Sequence, residues 1–119
     1  MVRYELGHTV AALQTLDFER RDFSYGFSTP RGGIFIIPKS GWYNVVVILS
    51  SHAGGFYASV RRNGSINVKF GNGRWQTATA DTIVYCDKGN TISARLEAPG
   101  RGIGEAEPHK NSILIRFLF

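Results

Sequence analysis

The stretch from Gly33 to Leu49, GIFIIPKSGWYNVVVIL, constrains the fold more than any other part of the chain. A short apolar run from Ile34 to Ile37 is cut by Pro38, whose nitrogen cannot donate to a sheet ladder. The chain turns at Ser40-Gly41 and re-enters extended structure through two aromatics, Trp42 and Tyr43. From Val45 to Leu49 every residue is apolar, so the long strand Trp42 to Ser51 is at least partly covered on both faces. Such a strand belongs inside a layered β structure.

The rest of the chain repeats the theme. Phe56, Ala58 and Val60 alternate with Tyr57, Ser59 and Arg61, and Ile66, Val68 and Phe70 alternate with Asn67 and Lys69. Trp75 to Tyr85 is Thr-rich and strand-like, and Ile92, Ala94 and Leu96 share one face of the run from Thr91. Val10 to Arg21 is the one stretch that also fits a helix, through Val10, Leu13 and Asp17, but it is read as strand, because Val10, Ala12, Leu16 and Phe18 alternate with Gln14 the exception. Turns fall at His52 to Gly55, Asn63-Gly64, Gly71 to Gly73 and Lys88 to Asn90, and a long loop runs from Pro99 to Asn111. Turn signals about every 8–12 residues define an all-β sandwich or barrel. With 119 residues and no linker or repeat, the chain is one domain, 1–119.

The Asn63-Gly64 turn can be tested for register. A plain two-residue loop sets Val60 against Asn67, mixing apolar with polar. A three-residue turn with Gly64 left-handed sets Val60 against Ile66, Ala58 against Val68 and Phe56 against Phe70, which keeps one face dry. The second is expected, with Tyr57, Ser59, Arg61, Asn67 and Lys69 outward.

The last strand, Ser112 to Phe119, bears on assembly. Ile113, Ile115, Phe117 and Phe119 lie on one face, and Leu114 and Leu118 flank Arg116 on the other. Both faces are mostly apolar, so one packs the core and the other needs a partner. Subunit association is the economical cover.

Charge and reactive groups narrow the function. The net charge is +5, yet the 14 Lys and Arg are scattered, with only Arg20-Arg21 and Arg61-Arg62 adjacent. Nucleic-acid binders gather charge into a stripe or arm, so a solvated surface is expected, with an anionic polymer or glycan partner second. A single-strand-binding barrel using Trp42 and Trp75 is the third reading. Cys86 is the one cysteine, which excludes an intrachain disulfide; it follows Ile83-Val84-Tyr85 and reads as a buried structural thiol. His8, His52 and His109 fall in or beside loops without metal-ligand spacing. Arg101 to Gly104 and Gly71 to Gly73 precede no helix that would make them phosphate cradles. No catalytic residue, metal or cofactor is expected, and no run is long and apolar enough to span a membrane.

One family resembles this chain. Gly33-x-Phe35-x-x-Pro38-x-x-Gly41-x-Tyr43 resembles the opening motif of the complement C1q globular head and its tumour-necrosis-factor-like relatives. Val60-x-x-Asn63-Gly64, Thr77 to Tyr85 with Lys88-Gly89-Asn90-x-Ile92, and Ser112 to Phe119 are similar to later family elements in the right order, over roughly 33–119. Asn90 stands where the family usually has Asp, and Ile115 where it usually has Gly. The resemblance implies a ten-stranded jelly roll forming tight homotrimers. In these, the sheet with the first, third, sixth or seventh, and final strands faces neighbouring subunits. Mapped here, Tyr57, Leu114, Phe117 and Phe119 become interface. Partner binding falls to the loops, through His52, Arg74, Arg101, Glu105, Glu107, His109 and Lys110.

The expected function is a non-enzymatic trimeric binding module. It is read first as a virion decoration, fibre or capsid-associated protein assembled in a host cytoplasm, because Met1 looks like a native start without a signal peptide. The alternative is an extracellular C1q-like head that binds a carbohydrate or protein receptor.

Overall fold

The computed structural model describes residues 1–6, 14–18, 20–50, 56–72, 77–98 and 111–119. Among them are nine strands and no helix: β1 (Val2–Glu5), β2 (Arg20–Ser24), β3 (Phe35–Ile36), β4 (Gly41–Ser50), β5 (Phe56–Arg62), β6 (Ser65–Asn72), β7 (Thr77–Cys86), β8 (Thr91–Ala98) and β9 (Ser112–Phe117). They form a five-stranded sheet ordered β2-β1-β9-β4-β7 and a four-stranded sheet ordered β3-β8-β5-β6. Every pairing is antiparallel. Ten strands were expected and nine are described.

The core lies between the sheets and follows the period of two. Tyr43, Val45, Val47 and Leu49 of β4 meet Phe56, Ala58 and Val60 of β5 and Ile92, Ala94 and Leu96 of β8, all fully buried. Each large apolar side chain buried this way contributes roughly 1.5–3 kcal/mol. Ile113 and Ile115 extend the core on β9, and Cys86 is buried at the end of β7, as its sequence context implied. Burial pushes the Cys86 thiol above its ordinary range, with Asp87 adding to the rise and Arg62 opposing it.

Two expectations need correction. The Val10–Arg21 strand is interrupted where it is described. Residues 7–13 and 19 lie outside the described residues, Gln14 to Phe18 contributes one bridge, Thr15 to Arg95, and β2 begins at Arg20. Leu16 and Phe18 are nonetheless fully buried. The segment runs so close to Gly33 that a Cβ there would drive into the Leu16 carbonyl oxygen, and Gly33 also has φ +79°.

The second correction is the β5–β6 register. The turn has two residues, Asn63 (φ 51°) and Gly64 (φ 80°), with Arg62 paired to Ser65. Ile66 pairs with Arg61 and Val68 with Val60, so Asn67 is the extra residue of a bulge. The bulge restores the dry face that the three-residue turn was meant to supply. Val68 and Phe70 pack against the core, while Ile66 faces solvent beside Arg61.

Candidate functional site

The unfinished surface is the outer face of the five-stranded sheet. In β4, burial of Tyr43, Val45, Val47 and Leu49 turns Trp42, Asn44, Val46 and Ile48 outward. Their partners across the ladder are Tyr85, Ile83, Asp81 and Thr79 of β7 on one side, and Arg116, Leu114 and Ser112 of β9, opposite Asn44, Val46 and Ile48, on the other. Trp42 and Tyr85 meet edge to face at 5.6 Å. Ile83 is 60% exposed, and Trp42, Ile48 and Tyr85 also stand in solvent. This is a row of large, partly exposed apolar side chains on an outer sheet face.

A polar row crosses the middle of that face. Arg116 donates from Nε to Asn44 Oδ1 at 3.0 Å, and Asn44 donates from Nδ2 to Asp81 Oδ1 at 2.7 Å. Asn44 also donates to the Thr82 carbonyl at 3.1 Å and is buried beneath its neighbours. The row is internally satisfied, so covering it would not orphan Asn44.

The outer face of the four-stranded sheet is built differently. Arg61 contacts the Glu97 carboxylate from Nη2 at 2.6 Å, and the Ser59 hydroxyl donates to the same oxygen at 2.6 Å. Ser59 is fully buried under this cluster, although the sequence placed it outward; it faces out and is covered by its neighbours' side chains. The Ser59 and Arg61 hydrogen bonds hold the Glu97 carboxyl below the usual carboxylate range.

The structure does not gather the four expected interface residues into one patch. Leu114 is half-buried on the outer face of the five-stranded sheet, and Phe119, 75% exposed, lies just beyond the end of β9 beside Trp42. Phe117 keeps the inward phase of Ile113 and Ile115; its ring stands 5.5 Å from Tyr43 at the mouth of the sandwich. Gly41 makes room for it, since a Cβ there would run into the Phe117 ring. Tyr57 is exposed on β5, in the opposite sheet. β1, β2, β4, β7 and β9 share the five-stranded sheet; β5, the strand of Tyr57 that leads into Asn63-Gly64, does not, contrary to the mapping drawn from the resemblance.

His52, Arg74, Arg101, Glu105, Glu107, His109 and Lys110 lie outside the described residues, as does His8. The strand ends that flank three of these segments do converge. Ser50 pairs with Thr77, Phe56 with Asn72, Tyr57 with Ala98, and Ile48 with Ser112, all at the same end of the sandwich. Sequence reasoning missed Ile83 and Tyr85 as surface residues, and considered Trp42 as one only for a nucleic-acid partner. The alternation of buried Ala80 and Val84 with Ile83 and Tyr85 was the signal that would have shown them.

No family model and no curated protein matches the chain. Solved structures do. The globular domain of zebrafish complement 1qA protein superposes with a TM-score of 0.78 at 15% identity, covering 99% of this chain and 96% of that one. Eiger TNF from S. frugiperda gives 0.77 at 13% identity over 99% and 91%, and murine APRIL gives 0.76 at 12% over 98% and 97%. The fold is therefore the C1q and TNF-like jelly roll, as the sequence motifs implied. Among the described residues, no helix is long and apolar enough to cross a membrane.

Proposed function

We propose that the protein is a non-enzymatic homotrimeric binding module whose subunits associate through the outer face of the five-stranded sheet. The observation that carries this is the exposure of Trp42, Ile83 and Tyr85 around an already satisfied Arg116–Asn44–Asp81 row. Leu114 and Phe119 lie with this surface. Tyr57 is left out of it. In a threefold ring the two neighbours of a subunit lie about 60° apart, and two outer faces of one sandwich point in opposite directions. Phe117 faces the sandwich mouth and contributes only at the seam's edge. Partner contacts then fall to the connections 51–55, 73–76 and 99–110, whose flanking strand ends share one end of the sandwich.

The extracellular-type binding head has the better support, since the complement 1qA globular domain is among the structures that cover nearly the whole chain. The virion decoration role draws no support from the likenesses in fold and rests on the sequence reading alone. Coat, portal or tail genes beside this gene would favour decoration, whereas a collagen-like coding stretch would favour a secreted head. Association through this face is tested by hydroxyl-radical footprinting. Trp42 and Tyr85 should be protected in the assembled protein while Tyr25, 83% exposed in the protomer, stays reactive. Equal reactivity of all three would contradict the reading.

A further inference from the structure

A second site lies at the mouth of the sandwich, at the end away from the loop-bearing strand ends. A cavity of about 390 Å³ opens there, with Tyr25, Phe27, Pro38, Lys39, Tyr43 and Phe117 among its lining residues. That volume is in the range of small-molecule pockets, roughly 300–1,000 Å³.

Its walls are aromatic and held in place. Tyr43 is fully buried and fixes the floor: its hydroxyl donates to the Lys39 carbonyl oxygen at 2.6 Å. The Phe27 and Phe117 rings stand edge to face on it at 6.3 Å and 5.5 Å. Burial pushes the Tyr43 phenol above its ordinary range, so it stays neutral. Tyr25 stands at the rim, and its backbone N–H donates to the Met1 carbonyl at 2.9 Å.

Charge enters this pocket with one sign from the side chains. The Lys39 ammonium sits 3.8 Å from the centre of the Phe117 ring, and the lining contains no Asp or Glu. Among the described residues no carboxylate lies within ion-pair reach of Lys39. A cation at the rim of an aromatic pocket, with a ring face as its partner, complements a ligand with an anionic head and a flat apolar body.

We infer that this cavity binds small aromatic carboxylates, with the carboxylate on Lys39 and the ring against Phe27 and Phe117 above the buried Tyr43. Uncharged aromatics lack the partner for Lys39. The site opens at the sandwich mouth and meets the association face only at the seam's edge, through Phe117, because Tyr43 and Phe117 have the inward phase of their strands.

The probe is 3-phenylpropionate, titrated into the assembled protein by calorimetry, with 3-phenylpropanol as the uncharged analogue. The acid should bind with a Kd on the order of 0.1–1 mM, and the alcohol roughly tenfold more weakly. Lys39 is exposed, so Lys39→Gln should fold normally and bring the acid down to the level of the alcohol, while Lys39→Arg keeps acid binding. The chain's one methionine lines the cavity, so the Met1 methyl resonance should move with the acid. No saturation below about 10 mM would overturn the inference. So would equal affinity for acid and alcohol, or undiminished binding in Lys39→Gln.

Discussion

Of the two outer faces of this sandwich, one is closed by its own polar side chains and the other carries large exposed apolar ones. On the four-stranded sheet, Ser59, Arg61 and Glu97 close over the backbone as a hydrogen-bonded cluster, and Ile36, Tyr57 and Ile66 stand singly on three different strands. On the five-stranded sheet the polar row Arg116–Asn44–Asp81 is flanked by Trp42, Tyr85 and Ile83 towards one end and Val46, Ile48 and Leu114 towards the other. Isolated exposed apolar residues are ordinary, whereas contiguous ones mark a surface that is covered in use. On the proposed function, the contrast separates what stabilises the protomer from what assembles it.

The largest effect should come from charging the unfinished face. Ile83→Arg or Leu114→Asp would bury a charge in the association surface at a cost of several kcal/mol per interface (about 3–5). Because Ile83 is exposed in the protomer, Ile83→Arg should leave the folded chain intact while light scattering shows dissociation. A trimer unchanged by both substitutions would break the comparison.

On the finished face the effect should move from assembly to folding. Arg61 and Glu97 side chains are only 16% and 18% exposed, so Arg61→Ala leaves a mostly covered carboxylate with one partner fewer. The protomer should lose about 1–2 kcal/mol in urea unfolding while its oligomeric mass is unchanged.

The same cluster sets a pH dependence. The Ser59 hydrogen bond, then Arg61, lowers the folded-state pKa of Glu97. Its contribution is therefore present above the unfolded-state value, near 4.3, and is lost as pH falls through the lower folded-state value. Glu97→Gln should remove part of the acid-side fall in the urea midpoint and lower the midpoint at neutral pH. An identical acid limb in the variant would show that the cluster contributes nothing to stability.

Tyr57→Asp should do least. Tyr57 is 44% exposed, so a change within about 0.5 kcal/mol and an unaltered oligomeric mass are expected. Dissociation by this substitution would place the four-stranded sheet in the interface.

Much of this contrast was legible in the sequence, through particular residues. The alternation of Phe56, Ala58 and Val60 and the two-faced strand Ser112 to Phe119 announced a layered β fold with one face left over. The Gly33 to Tyr43 motif led to the fold that the solved structures share. The Asn63-Gly64 turn was found, but its register was not. A bulge at Asn67 depends on what packs across the sheet, and alternation alone cannot distinguish it from a longer turn. Ser59 looked like an outward polar residue because its cover, Glu97, comes from a strand distant in sequence. Tyr57 and Leu114 looked alike for a related reason: a period of two gives the face of a strand and leaves open which sheet owns it.

The central claim is that the outer face of the five-stranded sheet joins three copies of this chain. Multi-angle light scattering on the unmodified protein tests it most directly. The account expects one species at three times the 13.2 kDa protomer mass, held on dilution through the micromolar range. A monodisperse 13.2 kDa species would contradict it, because Trp42, Ile83 and Tyr85 would then remain in water with nothing to cover them.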